Sequence, residues 1–204
     1  MDILIMGGFL GSGKTTIIKQ LIRGLVNDGK TCAVIENEIG DVGIDDVLIG
    51  EAGLTVTPLF GGCVCCQITG DLMTAVHRIQ DEISPDWVVV EMTGLALMDS
   101  IRDTFEEYGG PGFKIHTVSV VDMSRWIHLM GALAVVFDNQ VEGADVVFLN
   151  KTDVAAPVPE TYEIIGQKAP GAVISCLDAA KKEPGPLWAE LLRCIGEHEG
   201  GMKK

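Results

Sequence analysis

Apolar residues along the chain fall into short blocks that alternate between two spacings. The run "ILIM" (3–6) is continuously apolar, as a strand buried on both faces would be. Positions 17, 18, 21, 22, 25 and 26 follow with the spacing of one helix face, which predicts a helix over 14–29 that closes at Gly29. The runs at 31–36, 54–60, 86–91, 115–122, 144–150 and 171–176 again read as strands. Helical spacing returns over 70–83, stopped before Pro85, and around 97–108, 123–138, 159–168 and 186–196. This alternation predicts one α/β domain over 1–196 with three layers, a mostly parallel sheet carrying helices on both faces. Residues 197–204 are expected to be a flexible tail. In such a sheet ligands gather at the carboxyl ends of the strands.

The first strand runs straight into "GGFLGSGKTT", which holds Gly8, Gly11, Ser12, Gly13, Lys14, Thr15 and Thr16. Gly8, Gly13, Lys14 and Thr15 match the phosphate-loop pattern G-x-x-x-x-G-K-[ST]. Amides can curl around phosphate oxygens only where glycines accept positive φ and leave room. The next helix points its positive end at the anion. Lys14 supplies a charge for the β- and γ-phosphates, and Thr15 a hydroxyl for Mg²⁺. Because the motif follows a strand and opens a helix, a glycine turn that binds nothing is the weaker reading, and the domain is expected to be a P-loop NTPase.

The base is read from "NKTD" (150–153), at the end of the strand 144–150. Guanine offers N1–H and an exocyclic amine, and the Asp153 carboxylate can accept both, whereas adenine presents an acceptor at N1. Asn150 can meet the far edge of the ring and the Lys151 stem can cover its face. Ser175 and Cys176, after the last strand, are placed to touch the base edge. Guanine nucleotides, GTP and GDP, are therefore the expected ligands.

Two segments have the character of switches. "VVVEMTG" puts Glu91 at a strand end, where an acid can hold Mg²⁺ or orient water, and Gly94 three residues on, where an amide can sense the γ-phosphate. "ENEIGDVGIDD" (36–46) is acidic and glycine-punctuated, and Asp45 is its best candidate for Mg²⁺ or the attacking water. Glu36, Glu38 and Asp41 fit either a solvated acidic loop or hard ligands near a metal. Arg102 is the arginine nearest a switch in sequence.

Charge sharpens this picture. The chain carries 15 basic and 29 acidic side chains, a net charge of −14. Such a surface repels nucleic-acid phosphates and anionic lipid, so neither is an expected partner, and a nucleotide needs a local device to be held. The N-terminal run lacks a basic segment and is broken by glycines, and no stretch of 18 apolar residues occurs, so a cytoplasmic protein is expected. Thiols there stay reduced, and clustered cysteines bind metal or do redox chemistry more often than they form disulfides.

"GGCVCCQ" (61–67) crowds Cys63, Cys65 and Cys66 into one turn. A closed zinc site takes four ligands, commonly in two pairs. Three thiolates make an incomplete site suited to Zn²⁺, Co²⁺ or Cu⁺, completed by water, Glu36, Asp41, a client residue or a second subunit. Idle thiols and a redox role are the competing readings. Cys32, Cys176 and Cys194 read as core thiols, while His77 and His116 are more ordinary histidines than ligands.

"GGFLGSGKTT", "ENEIGDVGID", "GGCVCC", "VVVEMTGLA" and "NKTD" together resemble, in order and spacing, the GTPase domain of the CobW family, related to HypB and UreG. The resemblance covers about residues 2–176. It implies a metallochaperone GTPase that binds a transition metal at Cys-x-Cys-Cys and couples delivery to GTP hydrolysis. A client metalloprotein or corrinoid enzyme, and a homodimer across the nucleotide face, are implied partners. An activator that gates such an enzyme without delivering metal is the alternative. Asp41 stands where the family usually has Glu, "LALM" follows the switch glycine in place of Ala-Asp-Pro, and the four histidines are scattered, which favours zinc or cobalt over nickel.

Overall fold

A computed structural model of the chain describes residues 1–36, 54–58, 68–92, 98–110, 112–131 and 134–202. Within them seven parallel strands form one sheet in the order β3-β2-β4-β1-β5-β6-β7. The strands are β1 (Asp2–Gly8), β2 (Cys32–Glu36), β3 (Leu54–Pro58), β4 (Trp87–Glu91), β5 (Lys114–Asp122), β6 (Val146–Asn150) and β7 (Val173–Cys176). The helices are α1 (Lys14–Asn27), α2 (Ile68–Glu82), α3 (Met98–Tyr108), α4 (Trp126–Gly131), α5 (Ala134–Val141), α6 (Pro159–Lys168) and α7 (Pro184–Met202).

Strand alternation sorts the core into two faces. Leu4, Met6, Val34, Val89, Val118 and Phe148 pack under α1 and α7. Ile3, Ile5, Ala33, Ile35, Val88 and Val90 pack with Leu72, Val76 and Ile79 of α2 and Phe105 of α3. Val121, Val147 and Leu149 continue that second face with Phe137 and Val141 of α5 and Ile165 of α6. Burial on both faces explains why the strands read as unbroken apolar runs. Gly24 lets α1 and α7 approach, because a Cβ there would come within 2.6 Å of Pro184 O and Trp188 Cβ.

The three-layer α/β fold is thus as expected, with one local departure. The stretch around 123–138 is helical as read, as a 3₁₀ turn (Met123–Arg125), α4 and α5. The stretch expected as a tail from 197 is helical to Met202. It is tied down by Lys114 Nζ on Glu199 Oε1 at 2.6 Å and by His198 Nδ1 within 2.9 Å of Gly171 O. No described helix is long and apolar enough to cross a membrane.

Candidate functional site

The carboxyl end of β1 turns into α1 through three left-handed glycines, Gly8 (φ 136°), Gly11 (74°) and Gly13 (100°). A Cβ on Gly8 would collide with Val120 O, and one on Gly13 with Asn150 Nδ2. Lys14 is nearly buried, and its Nζ donates to Gly8 O at 2.8 Å and Phe9 O at 3.2 Å. The ammonium therefore sits inside the curl of the loop it follows. Helix α1 has neither an acidic residue in its first turn nor a side-chain cap on Gly13. Its N-terminal amides and partial positive charge are left for an anion. They open on a cavity of about 320 Å³, lined by Leu10, Gly11, Gly13, Lys14, Thr15 and Thr16 together with Glu91 and Lys151.

Glu91, at the end of β4, is 5% exposed. Its Oε1 accepts from Thr15 Oγ1 at 2.9 Å. A hydroxyl and a carboxylate so paired at a phosphate cradle are hard oxygen donors, the set Mg²⁺ accepts. The backbone of Glu36, at the end of β2, lies in register with both Glu91 and Pro58. The chain therefore enters the 37–53 and 59–67 segments from the same end of the sheet as the cradle.

On the other side of the cavity the loop after β6 carries Asn150, Lys151 and Asp153. Asn150 is buried with both ends of its amide in use: Nδ2 donates to Ser12 O at 2.8 Å and Oδ1 accepts from Ala179 N at 3.0 Å. It braces the phosphate loop against the 177–181 loop. Lys151 adopts φ 62°, rare for a residue with a side chain, and its Nζ donates to Gly11 O at 2.8 Å and Asp122 Oδ2 at 2.7 Å. Asp153 meets Lys181 Nζ at 2.9 Å, and that ammonium also reaches Asp178 Oδ2 at 2.7 Å. The Lys181 bond holds the Asp153 carboxyl below its ordinary range and pushes the lysine up.

Three residues here escaped the sequence reading: Asp122, Arg125 and Lys181. Asp122 closes β5 as Glu91 closes β4 and Asn150 closes β6, so its strand-end position was the available signal. It is fully buried. Burial alone would raise its pKa, but hydrogen bonds from Lys151, Ser124 and Arg125 outweigh that and leave it lowered.

Other expectations are corrected. Arg102 is not near the cradle: its Nη2 bonds Thr117 Oγ1 at 2.5 Å and Asp145 Oδ1 at 2.6 Å, at the amino end of β6. Ser175 Oγ donates to Glu190 Oε1 at 2.5 Å on α7, and Cys176 Sγ lies 3.2 Å from Tyr162 Oη. Leu177 O accepts from Thr152 Oγ1 at 3.0 Å. Cys176 is exposed, while Cys32 and Cys194 are buried as expected, their thiols pushed up by burial to about 12 and about 11. His116 pairs with Asp2 at the amino end of the sheet at 2.9 Å, and His77 lies exposed on α2 against Tyr108 O. Asp41, Asp45, Glu38, Cys63, Cys65, Cys66 and Gly94 lie outside the described residues.

Comparison with known proteins agrees with this geometry. The zinc chaperone YjiA of Escherichia coli is 32% identical over 173 residues, 79% of this chain and 52% of that protein. The zinc-regulated GTPase metalloprotein activator 1 of Dictyostelium discoideum is 28% identical over 195 residues, 76% of this chain and 41% of its own length. The chain spans about half the length of the curated relatives it matches. Among solved structures, the Zn(II)-bound YjiA GTPase from E. coli superposes with TM-score 0.64 at 25% identity, over 90% of this chain and 58% of that one. HypB from Archaeoglobus fulgidus shares the fold, with TM-score 0.69 at 19% identity over 96% and 90% of the two chains. Residues 2–171 match the model of the CobW/HypB/UreG nucleotide-binding domain, and the chain belongs to that family.

Proposed function

We propose that this chain binds and hydrolyses GTP and uses the nucleotide state to govern a transition metal, zinc first and cobalt second, held at Cys63, Cys65 and Cys66. The observation that carries the nucleotide part is the single cavity shared by Lys14, the Thr15–Glu91 pair and Lys151. Lys14 and the amides of Gly11 to Thr16 bind the phosphates. Thr15 and Glu91 would hold Mg²⁺, which neutralises phosphate charge when bound. Asp153 accepts from the guanine N1–H and amine once Lys181 yields its place, and Lys151 lies along the ring. Asp45 and Gly94 serve the attacking water and the γ-phosphate.

Glu36 and Asp41 are the proposed oxygen ligands beside the thiolates. Support for coupling comes from the sheet: Pro58, five residues before Cys63, is in register with Glu36, which is in register with Glu91. The names of the relatives as zinc chaperones support zinc. Binding requires deprotonated thiols, so metal affinity rises with pH. Intrinsic turnover is slow, roughly 10⁻⁴ to 10⁻² s⁻¹, the lower end being that of a GTPase without a supplied arginine and the upper that of one with an arginine in cis. The setting is the cytoplasm and the recipient a client metalloprotein or corrinoid enzyme, with a homodimer as the acting form. The relatives named metalloprotein activators favour one second reading, a GTP-gated activator that delivers no metal.

The test is nucleotide binding and turnover of the purified chain with Mg²⁺. The reading expects GTP and GDP to bind at least about tenfold tighter than ATP and ADP, with phosphate released only from the triphosphate. Equal affinity for adenine and guanine nucleotides would contradict it.

A further inference from the structure

Asp122 lies outside every motif considered above, yet two cations that grip the phosphate loop converge on it. The carboxylate is fully buried. Its Oδ1 accepts from Ser124 N at 3.0 Å and Ser124 Oγ at 2.5 Å. Its Oδ2 accepts from Arg125 Nε at 2.9 Å and Lys151 Nζ at 2.7 Å. Each cation then reaches past the carboxylate to the outer rim of the phosphate loop. Arg125 Nη2 donates to Leu10 O at 2.6 Å, and Lys151 Nζ donates to Gly11 O at 2.8 Å.

The two arms come from different places in the chain. Arg125 belongs to the turn after β5, and Lys151 to the base-reading loop after β6, two residues before Asp153. Both are anchored through one oxygen of one side chain. Lys151 also carries the unusual φ of 62°. A conformation of that kind persists only where the surroundings over-determine it, and here the paired grip of its ammonium on Asp122 and Gly11 does so.

We propose that Asp122 is a positioning residue that fixes the base-reading loop and the phosphate loop in one register, so that recognition of guanine and grip on the phosphates are energetically coupled. This rests on the guanine-nucleotide reading given above. Asp122 touches neither part of the nucleotide and acts through Lys151 and Arg125. Two cations on one desolvated carboxylate suit this task better than two separate surface pairs. Bonds to a buried charge are strong and geometrically fixed, whereas an exposed ion pair contributes little.

The experiment compares GDP with IDP, which lacks the exocyclic amine that Asp153 reads. Both are titrated against the whole chain with Mg²⁺, as wild type, Asp122→Asn and Arg125→Ala, with thermal unfolding recorded for each. Asp122→Asn should weaken GDP at least tenfold and narrow the GDP-over-IDP preference at least threefold, because Asp153 is no longer held in line. Arg125→Ala, at a half-exposed position, should move both quantities the same way by a smaller factor, and it carries the test if Asp122→Asn does not fold. In the double variant the second substitution should add less than its effect alone, since both act through one contact.

Folded variants with unchanged GDP affinity would overturn the inference. So would a loss of GDP and IDP affinity in equal proportion, which is the result of a local defect in the phosphate loop. A wild type that binds GDP no better than ADP would overturn the nucleotide reading and the inference with it, an outcome distinct from the other two.

Discussion

The two ends of this parallel sheet carry polar clusters of similar composition and opposite behaviour. At the amino end, Asp145 accepts from Arg102 at 2.6 Å and from Thr117 N at 2.8 Å, and His198 Nε2 stands 3.0 Å from it. His116 and Asp2 pair beside them, with the imidazole stacked on Trp87. The charged groups there face one another. At the carboxyl end, Lys14, Arg125 and Lys151 also direct donors at main-chain carbonyls of the phosphate loop, and Lys14 and Lys151 line a cavity. A set of charged residues is therefore no sign of a site by itself. What marks the carboxyl end is that cations hold a backbone in shape while helix amides face open space.

Substitutions at the two ends should separate binding from stability. The largest effect is expected from Lys14→Ala, which removes a nearly buried charge from the cradle. Triphosphate affinity should fall by about 100-fold or more in a nucleotide titration, with little change in the unfolding midpoint. Retained affinity would show that the carboxyl end is a structural cluster like its opposite.

Asp145→Asn provides the converse. It should lower stability by about 2 kcal/mol in denaturant unfolding, because Arg102 loses a partly buried partner, while GDP affinity stays unchanged. A loss of affinity there would erase the contrast between the ends.

Base reading is tested by Asp153→Asn. An amide in place of the carboxylate offers a donor to the O2 of xanthine, so preference should shift from GTP towards XTP by about tenfold. Constant selectivity would remove Asp153 from the base subsite.

The smallest effect belongs to Glu190, which lies at neither end of the contrast. Arg193 and Ser175 hold its carboxyl down to about 2, against an ordinary 4.5. A depressed carboxylate stabilises the fold above its ordinary value, and that stabilisation is lost as pH falls towards 2. Glu190→Gln should therefore be less stable than wild type by about 1 kcal/mol at pH 7, with the gap closing between pH 4.5 and 2. A gap constant across that window would mean the ion pair is not its source.

Much of the fold was legible because buried parallel strands and amphipathic helices write different spacings, and α1 shows this with Ile17, Ile18, Leu21, Ile22 and Leu25 all buried. The cradle was legible because only glycines pass through Gly8 and Gly13 without collision. Side-chain partners were not. Arg102 is near the switch in sequence, but α3 carries it to the amino end of the sheet. Ser175 and Cys176 sit at the right strand end, yet strand alternation sends one towards α7 and the other towards Tyr162. Asp122 gave only its strand-end position as a signal, because an aspartate there looks like any loop cap until its two cations are in place. The end from 197 was read as a flexible tail from its terminal position, but contacts at His198 and Glu199 hold its helix.

The central claim, that nucleotide state governs a thiolate-bound metal, is tested most directly by titrating the reduced chain with Co²⁺ and then Zn²⁺, first with GDP and then with a non-hydrolysable GTP analogue. Thiolate-to-cobalt charge-transfer absorbance is the readout, and Cys65→Ala is the control. The account predicts an intense band that changes affinity between the two nucleotides, is displaced by Zn²⁺ and is lost in the variant. No thiolate band in either nucleotide state would contradict it and leave the three cysteines without a role in metal handling.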